Sequence, residues 1–151
     1  MKISTPALSG VLALITLAAA PLMLSAMQHE PKPAAEGGSL EDSMQMLQSN
    51  TKKLDKALDK GDLETVAKLA VEMEKAVWDA KTKSPEKADA ITDAKEKAAF
   101  VLGFRKQLIQ LEKALLDMET AALDGKADDA KKIYNDTIKP MKKEGHARYK
   151  G

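Results

Sequence analysis

Two side chains stand apart by type and by place, Met44 and His146. His29 is the other histidine of the chain. It lies in QHEPKPAAEGG (28–38), a Pro- and Gly-rich run without apolar period, and is read as solvated. His146 is therefore the imidazole of the segment that can fold. A neutral imidazole and a methionine thioether together are an axial ligand pair for haem iron. With two protein ligands no coordination position stays open, so the chemistry would be one-electron transfer rather than oxygen binding or peroxide cleavage. Two commonplace roles compete. A methionine on an apolar stripe usually fills a core, and a histidine in a last helical turn interacts well with the helix dipole.

Composition narrows the other possibilities. The chain has 151 residues and no cysteine, which removes disulfides, thiolate catalysis, zinc–cysteine sites and covalent C-x-x-C-H haem. Lys+Arg is 24 against 23 Asp+Glu, a balance that argues against nucleic acid as a partner. There is no Ser/His/Asp or Cys/His arrangement, no Gly-rich phosphate loop and no carboxylate cluster with a second histidine, so no enzyme is expected. Aromatic residues are 3% of the chain, and a core must come from Leu, Ala, Met, Val and Ile.

The elements that must position Met44 and His146 are helices. Ser39 is an N-cap, with Glu41 and Asp42 in the first turn. Leu40, Met44, Leu47, Thr51, Leu54 and Leu58 then share one face, and Gly61 stops the helix. Asp62 caps a second helix whose face is Leu63, Val66, Leu69, Ala70, Met73, Val77 and Ala80, ending before Ser84-Pro85. Residues 85–96 read either as a helical connection or as an early start of helix three. The strong period of that helix runs from Ala98 to Leu123, with Val101, Leu102, Phe104, Leu108, Leu111, Leu115, Met118 and Ala122 facing inward and Gly125 as the stop. Helix four starts near Asp128, with Ala127, Ala130, Tyr134, Thr137 and Ile138 inward, and is interrupted at Pro140. Four amphipathic helices with short breaks predict an all-α, antiparallel up-down-up-down four-helix bundle over 39–151. In that topology the start of helix one and the end of helix four share an end, so Met44 and His146 sit at similar heights.

Ahead of the bundle, Lys2 and the apolar run from Ala7 to Leu24 read as a signal peptide over 1–26, cleaved after Ala26, followed by a flexible leader over 27–38. Export without cysteine suits a bacterial periplasm. The mature chain is expected to be a monomer with no stable membrane association.

The motifs resemble a known family. Leu40-Glu41-Asp42-Ser43-Met44 is similar to the L-E-D-x-M opening of cytochrome b562, which carries its methionine ligand. Gly145-His146-Ala147-Arg148-Tyr149-Lys150 resembles the closing H-x-x-Y-[RK], which carries the histidine ligand. Phe104-Arg105, Ala114-Leu115 and Gly125-Lys126 resemble the third helix and its terminal turn, and Ala70 to Ala80 the second helix more loosely. The resemblance covers Leu40 to Lys150. It implies one non-covalent haem b with Met44 and His146 as iron ligands and Phe104 as a wall against the porphyrin. It also implies a periplasmic electron carrier that meets redox proteins through transient contacts. The alternative is a haemless helical binding or chaperone-like protein using exposed methionines, Met46 first among them. There are departures. Leu108 stands where a second Phe often follows the first by one turn. Lys142 and Lys150 stand where Arg can meet the haem propionates. Gly145 replaces an aromatic before the histidine.

One geometric difficulty follows from the helix period. At about 100° per residue, Tyr134 to His146 is a rotation of about 120°, which turns His146 off the core stripe. The resemblance also implies one extra residue between Gly125 and His146. Pro140, which lacks an N–H, is expected to mark a one-residue bulge or kink that swings His146 and Tyr149 inward.

Overall fold

A computed structural model describes residues 38–150. The expected signal peptide and nearly all of the leader lie outside the described residues. Within them the chain runs α1 (Leu40–Lys60), α2 (Leu63–Ala80), a 3-10 turn (Glu86–Ala90), α3 (Ala94–Leu123), α4 (Ala127–Ile133), a π-turn (Tyr134–Ile138) and α5 (Lys139–Tyr149). Helix four of the bundle is thus α4, the π-turn and α5, run end to end. No helix among the described residues is long and apolar enough to cross a membrane.

The helix ends are set by local chemistry. At the start of α1, the Ser39 hydroxyl accepts from the Asp42 N–H at 3.1 Å, and the Asp42 carboxylate accepts from the Ser39 N–H at 2.8 Å. This reciprocal pair satisfies two donors that the helix would otherwise leave open. The bonds from Ser39 hold the Asp42 carboxyl below its ordinary value. Gly61 closes α1 at φ 68° and Gly125 follows α3 at φ 74°, a left-handed conformation that glycine adopts without strain. Asp62 caps α2 and Asp93 caps α3, each accepting an N–H three residues on. Pro85 is extended, and the stretch after it forms the 3-10 turn. The third helix then begins at Ala94, four residues ahead of its strong apolar period.

Inter-helix pairs fix the antiparallel arrangement. Asn50 donates to Glu72 at 2.9 Å between α1 and α2. Lys81 meets Glu112 at 2.7 Å between α2 and α3. Asp59 and Asp55 of α1 meet Lys131 at 3.4 Å and Lys139 at 2.8 Å on helix four, in descending and ascending order. Between the helices Leu54, Val66, Met73, Val77, Leu115, Met118 and Ile138 are shielded from water. Three residues expected inward are not, and one of them, Ala127, is exposed as the first residue of α4. Leu102 is 52% exposed, because it lies about 200° around the helix from Phe104. Thr137 is exposed because it falls inside the π-turn.

That π-turn is the irregularity the helix period calls for, one turn earlier than the proline itself. The Lys139 N–H donates to the Tyr134 carbonyl, five residues back instead of four. The cause is Pro140. It cannot donate, and its ring crowds the carbonyl four residues before it, that of Asp136. Widening the turn around Asp136 relieves the crowding and absorbs one residue without advancing the phase. With that residue discounted, His146 lies about 20° from Tyr134 rather than about 120°. Tyr134, Ile138 and Tyr149 are buried along this line, while His146, also expected to swing inward, stays exposed at its edge.

The width of this turn can be tested by removing a residue from it. In a Pro140→Ala background, which removes the ring's clash with the preceding turn, deleting Asn135, which is exposed, should convert the π-turn into ordinary helix without rotating α5. Calorimetry should show a rise of a few degrees, equivalent to ~1 kcal/mol, with α-helical circular dichroism retained. A large loss of stability would mean that the turn does not carry a spare residue.

Candidate functional site

At the end of the bundle that holds the start of α1 and the end of α5, the helices enclose a cavity of about 450 Å³. This lies within the range of pockets that hold cofactors, roughly 300–1,000 Å³. Met44 and Leu47 of α1, Phe104 and Leu108 of α3, and His146 of α5 all line it, with Met73 of α2 beneath. The three residues expected from sequence, Met44, Phe104 and His146, are therefore brought to one cavity. Met44 is half-buried on the α1 side, Phe104 is buried, and His146 forms an exposed wall on the α5 side.

The gap exists because of how the last helix packs. All of helix four leans on α3, but only its first stretch, α4, also packs on α1, so α5 stands off from α1. An aromatic cluster holds it there. Tyr149 meets Phe100 edge-on at 5.0 Å and Phe104 at 5.1 Å, ring centre to ring centre. Such pairs contribute about 0.5–1.5 kcal/mol beyond burial. Gly103 makes room for the tyrosine, since a Cβ at that position would lie 3.0 Å from the Tyr149 hydroxyl. Leu108 stands one turn after Phe104, where the resemblance implies a second phenyl ring. The structure supplies it one turn before, at Phe100, where the F-x-x-G-F spacing was the available signal.

The electrostatics favour an uncharged imidazole. Burial, then the nearby ammonium groups of Lys142 and Lys150, push the His146 pKa down from its usual value. Lys142 is itself pushed down by burial and by Lys52 of α1. Neither Lys142 nor Lys150 has a carboxylate within ion-pair distance among the described residues. The cavity mouth thus presents an imidazole of lowered pKa flanked by two ammonium groups that meet no carboxylate among the described residues.

These groups suit a particular ligand class. No cluster of three His, Cys, Asp or Glu among the described residues could hold a bare metal ion. A metal that arrives in a planar macrocycle needs only the two axial donors, and the apolar lining suits the macrocycle's faces. Three thioethers line the cavity, those of Met44, Met73 and Met141. Met73 is 1% exposed and locked in the core. Met141 is on the same helix as His146 and cannot lie across the cavity from it. Met44 is left as the donor on the facing helix. The imidazole and thioether set, the volume and the aromatic wall all fit haem.

A family model described as cytochrome b562 matches residues 39–150. Comparison with curated proteins and with solved structures returns no match.

The contact between α3 and the chain end can be probed at Gly103. In a Tyr149→Phe background, Gly103→Ala should stabilise the protein by up to about 1 kcal/mol through helix propensity. With the Tyr149 hydroxyl present, most of that gain should vanish in chemical denaturation. Equal gains in both backgrounds would show that the hydroxyl does not press on Gly103.

Proposed function

The chain belongs to the cytochrome b562 family, a family of haem-binding electron carriers, and from that premise we propose that it holds one non-covalent haem b between Met44 and His146 and carries single electrons in the periplasm. The observation that carries the reading is the convergence of Met44, Phe104 and His146 on one cavity of cofactor size. Without cysteine the macrocycle has no covalent anchor, so axial ligation and burial must retain it.

When bound, haem would supply one-electron redox chemistry, and Met44 and His146 are the residues that would hold its iron. The protein's residues set the conditions for that chemistry. Partial desolvation and the adjacent lysines lower the His146 pKa, which favours the neutral ring whose nitrogen can donate a lone pair. Met44 offers a polarisable sulfur from the opposite helix. Phe104, backed by Tyr149, excludes water from the inner wall. Lys142 and Lys150 provide positive charge for the haem carboxylates, as point charges rather than the bidentate fork of arginine. Redox partners would meet the exposed His146 edge in weak, short-lived contacts.

Titration of the mature protein with haem tests the reading. The wild type should give a low-spin, six-coordinate spectrum at one equivalent. Met44→Ala and His146→Ala should each convert it to high spin and weaken binding by at least about tenfold. Met141→Ala should leave the spectrum unchanged. Absence of haem binding would overturn the proposal and favour a haemless binding protein. A low-spin spectrum surviving His146→Ala would overturn the ligand assignment.

A further inference from the structure

The π-turn solves the phase of His146 but leaves helix four wide just before the ligand. A wide turn is softer than regular helix, so something beyond it must hold α5 in rotation. Gln107 on α3 occupies that place. Its side-chain N–H donates to the Met141 carbonyl at 3.0 Å, in a part-buried position and one residue past Pro140. Past the Lys139–Asp55 pair, it is the one hydrogen bond from another helix to α5 among the described residues. The same amide lies against Gly145, where a Cβ would sit 3.3 Å from Nε2 and 3.8 Å from Cδ. One turn away, Gly103 faces Tyr149 in the same manner. Two positions on α3, a turn apart, thus grip two positions on α5, a turn apart. His146 lies between those two positions on α5.

We infer that Gln107 is a positioning residue for His146, fixing the rotation of α5 through the Met141 carbonyl and the bare Cα of Gly145. Its consequence for haem rests on the function proposed above. The departure at Gly145, where an aromatic is often found, then has a physical reason. A Cβ there would press on the amide that sets the ligand's direction and shift it by a few tenths of an ångström.

The test uses Gln107→Met, which keeps length and apolar contact but removes the donor. Apo protein should retain its helical circular dichroism, while amides of residues 142–149 exchange about tenfold faster, as expected for one lost inter-helix bond. Haem affinity should fall about tenfold with a high-spin component appearing. In a His146→Ala background the same substitution should leave haem affinity unchanged, because there is no ligand left to misdirect. Gly145→Ala, which crowds the amide from the other side, should show the same pattern. An unchanged spin state and affinity in Gln107→Met would overturn the inference, as would an equal loss of affinity in both backgrounds. If the wild type bound no haem, the proposed function would fail separately. Unaltered exchange at 142–149 would then overturn the role of Gln107 as well.

Discussion

The structure depends on the phase of one helix. Between Tyr134 and His146 an ideal helix accumulates about 120° of unwanted rotation, and the π-turn at Tyr134–Ile138 removes it. Everything at the cavity follows from that correction. Tyr149 turns in to meet Phe100 and Phe104, and His146 joins Met44 on the cavity wall. Pro140 enforces the wide turn by steric pressure on the Asp136 carbonyl rather than by bending the chain at its own position. The upstream half of the helix is meanwhile anchored to α1. The buried Tyr134 hydroxyl donates to the Thr51 carbonyl at 3.1 Å, and burial beside Asp55 keeps that phenol protonated, its pKa far above the usual value.

The site carries a second constraint, an electrostatic one. Burial, then the positive charges of Lys142 and Lys150, lower the proton affinity of His146, and Lys52 acts in turn on Lys142. Such crowding costs stability in the empty protein and is relieved by an anionic ligand. Haem fits this balance, since its faces are apolar and its carboxylates are negative.

Much of this was legible in the sequence. Caps at Ser39 and Asp62, stops at Gly61 and Gly125 and the apolar stripes of α1 and α2 state their elements locally, because each depends on neighbours within one turn. The need for an irregularity before His146 was also legible, since phase is arithmetic on residue number. Its location was not. A proline's ring acts on the preceding turn, and whether the chain widens or kinks there depends on packing against α3. Phe100 was passed over for the opposite reason. Ring-to-ring contact with Tyr149 joins residues 49 positions apart, and no local pattern announces it. Gln107 was invisible for the same cause: a polar residue on a helix face gains meaning only when Met141 and Gly145 are seen beside it.

The π-turn brings His146 to the cavity that Met44 lines, where the two would together hold the proposed haem. The most direct measurement is proton NMR of the ferrous haem complex, in which ring current shifts protons lying over the macrocycle far upfield. The account predicts one methionine methyl and one histidine ring in that upfield set, assigned to Met44 and His146 by their loss in Met44→Ala and His146→Ala. An upfield methyl that persists in Met44→Ala, or a complex without an upfield histidine ring, would contradict it.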